Sequence, residues 1–208
     1  MRPVIVFDLD GTLVDSLPDI VASFLAAFDL VGLPQPDPDA VRATVGKPLE
    51  EMYAAFAPEA AVADLAAAYR RHYPLHFRDH SRPFPGVPEL LTELGRRGFV
   101  RAVATTKRTE MALRFVDAMG LTPLLDHVQG TDDIPHKPAP DVVLRAIDAL
   151  GARGRWMVGD TVTDVQAGKA AGLRTYAVTW GTHDRATLAD ARPDVLEPDL
   201  TRLLEVVD

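Results

Sequence analysis

The chain has 208 residues, 47% of them hydrophobic and 25% charged, a balance that supports a buried core and excludes wholesale disorder. Its formal net charge of −8 excludes a broad basic face for nucleic acid or for an anionic membrane. It has no cysteine, which removes disulfides, thiolate catalysis and cysteine-based zinc sites together.

Residues 4–7 form a continuous apolar run of β-branched and aromatic side chains, expected as a strand buried on both faces. Asp8 and Asp10 follow where that strand should end, and Gly11 and Thr12 break it. Ligands of open α/β sheets bind beyond the carboxyl ends of the strands, and residues two apart on an extended segment point the same way. Two carboxylates aimed together repel unless a cation or a shared proton joins them. Ordinary Asp-Gly turn chemistry accounts for Asp10 but leaves Asp8 without a reason. The start of the chain shows no basic, apolar, cleavable pattern, and no apolar stretch approaches the length of a membrane span. A soluble, cytoplasmic protein is expected.

Residues 15–18 read as a hinge into a helix, with Ser16 as N-cap and Asp19 placed to complete a capping box. Ile20, Phe24, Ala27 and Phe28 fall at helical spacing over 20–30. Pro34, Pro36 and Pro38 punctuate a loop, and helical patterns return over 39–45, 49–56 and 59–73, the last rich in alanine. No convincing strand lies within 16–81, and 83–86 forms a stiff second linker. Arg42, Lys47, His72, Tyr73, His76 and His80 are candidates by polarity for contacting a substrate. His76 and His80 stand four apart, a spacing that could hold a metal on a helix, but no acid partner is evident.

The pattern then alternates. Helices are expected over 87–97, 109–119, 138–150, 162–171, 186–191 and 199–206, and strands over 100–105, 127–130, 155–159 and 175–179. Such alternation predicts an α/β fold, a doubly wound, Rossmann-like parallel sheet with helices on both faces. The best division is a core of residues 1–15 and 82–208 interrupted by an all-helical insertion, 16–81.

The other strand ends carry complementary groups. Thr105, Thr106 and Lys107 end the second core strand, Asp160 and Asp164 follow the 155–159 strand, and Lys137 stands among Pro135, Pro138 and Pro140. Each has a local reading: a helix cap, a solvated lysine, acids that complement a helix dipole. Their combination at one sheet edge is what those readings leave out. Four acids, a threonine and a lysine suit phosphoryl transfer with Mg²⁺, a hard cation that takes oxygen ligands, while lysine neutralises phosphoryl oxygens as a point charge.

These segments resemble the four motifs of the haloacid dehalogenase-like superfamily, most closely its phosphatases with a helical cap inserted after the first motif. Residues 8–16 resemble the first motif, Thr105 the second, Lys137 the third, and 159–164 the fourth. Residues 45–49, 105–107 and 137–140 resemble phosphoglycolate phosphatases in particular, with Thr106 standing where those relatives carry asparagine. By this resemblance Asp8 is the nucleophile that forms an aspartyl-phosphate, and Asp10 is the general acid and then the general base. Mg²⁺ would bind Asp8, the backbone carbonyl of Asp10 and Asp160, with Asp164 a ligand through water or a brace behind the site. Gly11, Thr12, Thr105, Thr106, Lys107 and Lys137 would hold phosphoryl oxygens, and Lys47 is a candidate for substrate contact. The cap would close over the core, hinging near 15–17 and 82–86.

The expected function is hydrolysis of a small phosphorylated metabolite, with 2-phosphoglycolate the first candidate. Alternatives are a β-phosphoglucomutase-like sugar-phosphate mutase, or a phosphatase for a sugar phosphate, a nucleotide or pyrophosphate. Outside enzymes, the alternative is a phosphate-sensing regulatory or binding module, whose fold has no place for a helical insertion directly after the first acids. No nucleic-acid or membrane partner is expected, and the chain would act as a monomer or homodimer.

Overall fold

Strand β1 (Pro3–Phe7) lies in the middle of a six-stranded sheet in the computed structural model, which describes residues 1–207. Along the chain it is followed by β2 (Val14–Asp15), α1 (Leu17–Val31), α2 (Pro38–Arg42), α3 (Leu49–Ala54) and α4 (Glu59–His76). Then come β3 (Arg82–Pro83), α5 (Val87–Arg96), β4 (Val100–Ala104), α6 (Thr109–Ala118), β5 (His127–Gln129) and α7 (Asp141–Ala149). The chain continues through β6 (Arg153–Gly159), α8 (Val162–Ala170), β7 (Arg174–Val178), α9 (Arg185–Asp190), β8 (Val195–Glu197) and α10 (Leu203–Val206).

The sheet order is β5-β4-β1-β6-β7-β8, and every pairing within it is parallel. This is the doubly wound α/β architecture expected from the alternation of elements. The chain winds outward from β1 through β4 to β5, then crosses back to β6 on the other side of β1. Ligands of such sheets bind beyond the carboxyl ends at this reversal, which puts residues 8–12 at the crevice. The unbroken apolar run of β1 follows from its place: Ile5 and Phe7 pack with Leu91, Phe115 and Leu203, while Val4 and Val6 pack with Val142, Val143 and Met157. A strand covered on both faces has no side on which to place polar residues.

Helices α1 to α4 lie between β2 and β3, which pair antiparallel through Val14–Pro83 and Asp15–Arg82. The sequence reading took these segments for plain hinges, because two-residue strands leave no periodicity to detect. β8 was missed for a similar reason: it is three partly buried residues at a sheet edge between Pro193 and Pro198. Helix α7 starts at Asp141 instead of 138, after a turn that follows the cis Lys137–Pro138 peptide. Helix α4 runs through Pro74 to His76, past the proline where the sequence reading ended it. Its end there removes the proposed i, i+4 metal pair. His76 Nδ1 lies 2.9 Å from Asp79, whereas His80 Nδ1 lies 2.8 Å from Asp19.

The expected capping box at Ser16 and Asp19 does not form. Ser16 Oγ instead donates to Asp10 Oδ1 at 2.5 Å. Asp19 is buried and accepts from the His80 and Ser81 backbone N–H groups and from Ser81 Oγ at 2.7–3.0 Å. Burial pushes its carboxyl up, but the Ser81 and His80 hydrogen bonds outweigh that and hold it below the ordinary aspartate value. The acid thereby ties the first turn of α1 to the chain just before β3. Asp19→Ala leaves those donors without an acceptor in a buried place. It should lower unfolding free energy by about 2–3 kcal/mol, read as a shifted midpoint in urea denaturation with an unchanged slope.

Candidate active site

β1 ends at Phe7, but its pairing with β6 continues one step, since Asp8 N–H donates to Val158 O at 2.8 Å. The chain then turns so tightly that Gly11 has φ +81°, and a Cβ there would fall 2.4 Å from Asp160 Oδ2. Glycine serves here because L-residues disfavour that φ and no side chain fits. On the opposite flank, a Cβ at Gly181 would fall 2.2 Å from the same oxygen. Asp160 is thus wedged between the 8–13 loop and the loop after β7. Thr12 Oγ1 donates to its Oδ1 at 2.7 Å and Thr182 N–H to its Oδ2 at 2.6 Å. The hydroxyl of Thr12, expected among the phosphoryl ligands, is buried and committed to Asp160, and Gly11, expected there through its turn amide, makes room for that acid.

Lys137 is buried at the centre of the acids. Its Nζ donates to Asp8 Oδ1 at 2.5 Å, Asp164 Oδ1 at 2.6 Å and Ala104 O at 3.1 Å, so all three ammonium protons have acceptors. Asp164 divides its oxygens between two tasks. Oδ1 meets Lys137, and Oδ2 accepts from Thr161 N–H at 3.0 Å and Thr161 Oγ1 at 2.6 Å, closing the capping box of α8. Asp164 therefore closes the cap of α8 and meets Lys137 with the same carboxylate.

One oxygen each of Asp8, Asp160 and Asp164 lies within 4.8 Å of the others. Burial, opposed by Lys137 and reinforced by repulsion from Asp164, Asp160 and Asp10, raises the Asp8 carboxyl well above the ordinary value. Burial and then Asp164 push Asp160 up to about 6, against hydrogen bonds from Thr182 and Thr12. Burial also works against the Lys137 ammonium, but Asp164 and Asp8 outweigh it and hold its pKa above the usual lysine value. Three carboxylates facing one ammonium leave excess negative charge in a buried place. That donor set fits a hard divalent cation with oxygen ligands.

Asp10 turns to a different cation. Lys107 Nζ lies 2.7 Å from both of its carboxylate oxygens. The sequence reading gave Lys107 to phosphoryl oxygens, and the structure engages it with Asp10. Thr105 is buried, and its Oγ1 accepts from Lys107 N–H at 3.2 Å, which shapes the turn after β4.

A cavity of about 720 Å³ opens above these groups. Asp8, Asp10, Thr106, Lys107, Lys137 and Asp164 line its sheet side, and Lys47, Met52, Tyr69 and Tyr73 line the side of the helical segment. Of the polar candidates in that segment, Lys47 and Tyr73 reach the wall, whereas Arg42, His72, His76 and His80 do not. The sequence reading missed Tyr69, one turn before Tyr73 on the same helix face and stacked on it at 5.1 Å. It also missed the loop after β7, where His183 Nδ1 accepts from Val162 N–H at 3.0 Å. That loop follows the carboxyl end of a strand, and the rule that found the other strand-end residues would have found it.

The profile of the family described as "Haloacid dehalogenase-like hydrolase" matches residues 5–178. "Probable phosphatase IndB" of Dickeya dadantii (strain 3937) is 38% identical over 205 residues, covering 94% of this chain and 89% of the relative. A "Phosphoglycolate phosphatase" of Aquifex aeolicus (strain VF5) is 32% identical over 181 residues, covering 86% of this chain and 85% of its own. The solved structure of a haloacid dehalogenase-like family hydrolase from Streptococcus pneumoniae superposes with a TM-score of 0.92 at 28% identity, covering 100% of this chain and 99% of that one. The profile spans most of the chain and the relatives are named as phosphatases, so the chain belongs to the haloacid dehalogenase-like hydrolase family as an enzyme of its phosphatase kind.

Proposed function

We propose that the enzyme is a Mg²⁺-dependent phosphomonoester hydrolase that works through an aspartyl-phosphate on Asp8, with 2-phosphoglycolate as its first candidate substrate. The observation that carries this reading is the buried set of Asp8, Lys137 and Asp164 on the cavity floor with Asp160 against it, and Asp10 two residues from the nucleophile. Asp8 attacks phosphorus, and Asp10 gives a proton to the departing alkoxide and later takes one from water, transfers that contribute about 10²–10⁴-fold each. Lys137, Thr105 and the backbone amides of Thr106 and the 9–11 turn hold phosphoryl oxygens, work that is mainly positioning and charge stabilisation. Asp8, the Asp10 carbonyl, Asp160 and Asp164, directly or through water, would hold Mg²⁺. The ion supplies the positive charge that lets an anionic phosphoryl group approach an anionic nucleophile. Residues 16–81 act as a cap on the core formed by 1–15 and 82–208, with β2 and β3 as the connection. Lys47 and Tyr73 are the cap residues assigned to substrate contact.

The name of the Aquifex relative supports phosphoglycolate. The cavity volume favours a second reading, since about 720 Å³ would also admit a sugar phosphate or a nucleotide. Phosphate release from a panel of phosphorylated metabolites separates the two. The expected result is a kcat/KM for 2-phosphoglycolate at least about tenfold above the other compounds and loss of turnover with a chelator. Equal slow turnover of every compound would remove the phosphoglycolate assignment. Release without any bisphosphate activator excludes a mutase.

A further inference from the structure

The Lys107–Asp10 contact is the least ordinary part of the cavity. Lysine is a point charge on a flexible stem, yet this one reaches both oxygens of a single carboxylate at equal distance, 2.7 Å. Its side chain is 10% exposed. The ammonium lies 4.9 Å from the ring centroid of Tyr73 and 4.9 Å from that of Phe115, within the range at which an aromatic face attracts a cation. Tyr73 comes from α4 and Phe115 from α6, on opposite sides of the boundary between the helical segment and the sheet. Phe77 packs behind both rings, at 6.2 Å from Tyr73 and 5.7 Å from Phe115. Among the described residues Lys107 is the one cation bonded to Asp10. Ser16 Oγ adds a further bond to Oδ1 from the first turn of the same helical segment.

We propose that Lys107 is a positioning residue for Asp10, and that Tyr73 makes this positioning depend on the seating of the helical segment. With α4 in place the ammonium is caged between two rings and fixes the plane of the Asp10 carboxylate. When α4 lifts, one wall of the cage leaves and the carboxylate is free to turn. The proposal rests on the reading of Asp8 and Asp10 given above. The step most exposed is hydrolysis of phosphoryl-Asp8. A water oxygen bonds to phosphorus as the bond from phosphorus to Asp8 breaks, the electron pair returns to the Asp8 carboxylate, one water proton passes to Asp10, and inorganic phosphate leaves.

Stopped-flow measurement with 4-nitrophenyl phosphate and Mg²⁺ isolates that step, because nitrophenolate departs without needing a proton. In Lys107→Met the first turnover should slow only a few-fold, while the following steady rate falls about 10- to 100-fold, the range expected when a reacting group is misplaced. Nitrophenolate then appears as a burst approaching one per enzyme, larger than in the wild type. Lys107→Arg, whose fork also spans two carboxylate oxygens, should recover most of the steady rate, and Tyr73→Leu should reproduce the burst in weaker form. Asp10→Asn is the control and should show the burst at full size. A raised KM without a burst in Lys107→Met would make Lys107 a substrate ligand and overturn the proposal. Equal slowing of both phases would reduce it to a structural residue, with the same consequence. If Lys107→Met does not fold, Tyr73→Leu decides alone, and a wild-type burst trace from it would overturn the inference. Asp10→Asn turning over at the wild-type rate would instead remove the underlying reading of Asp10.

Discussion

Asp8→Asn should lose about 10⁴-fold or more in kcat, the scale on which removal of a covalent nucleophile is felt, while the protein becomes no less stable. The two outcomes separate because Asp8 is poorly placed as a charge. Burial raises its carboxyl, and Asp164, Asp160 and Asp10 raise it further. Asparagine keeps the shape and an oxygen for the Lys137 ammonium, which retains Asp164 at 2.6 Å as its counter-charge. Phosphate release with Mg²⁺ and urea denaturation of the same preparation measure both sides. Acid-quenched enzyme should carry a phosphoryl group in the wild type and none in the variant. Near-normal turnover by Asp8→Asn on any good substrate would end the covalent mechanism.

Lys137→Met should do the opposite and damage both properties. The side chain is close in length but leaves Asp8 and Asp164 buried without their cation. Breaking such a pair by removing one partner costs about 3–5 kcal/mol. The loss should depend on pH with a definite sign. Asp8 and Asp160 have folded-state values raised above their ordinary ones, to about 6 for Asp160. Each therefore favours the folded state fully below the unfolded value, and that contribution disappears as pH rises through the folded value. Without Lys137 nothing opposes the effect at Asp8, so the variant should approach wild-type stability near pH 4–5 and fall away from it toward pH 8. Mg²⁺ should return part of the difference at pH 8, since a ligand that binds only the folded state stabilises it. Urea denaturation at both pH values, with and without Mg²⁺, reads all of this. A deficit of the same size at both pH values would show that Lys137 contributes packing and not charge.

The residues that these variants probe were legible because they obey local rules. Val4–Phe7 announced a doubly covered strand by composition alone, and Asp8, Thr105 and Asp160 each follow a strand end, where an open α/β sheet puts its chemistry. Lys137 was legible for another reason: its prolines mark a rigid loop. Short elements were not legible, because β2 and β3 have two residues each and β8 three, too few to show a period.

What the sequence determined by itself is the order of elements and the chemical character of each strand end, because periodicity, turn residues and charge are properties of neighbours in the chain. The tertiary structure alone decided who bonds to whom. Ser16 and Asp19 had a helix cap within reach and took Asp10 and the 80–81 backbone instead. Lys107 meets Asp10 across 97 residues, and Thr12 meets Asp160 across 148. Buried polar groups must find partners, but which partner lies within 3 Å depends on how the sheet reverses around β1 and how the helical segment settles against it. Local spacing carries no trace of that choice.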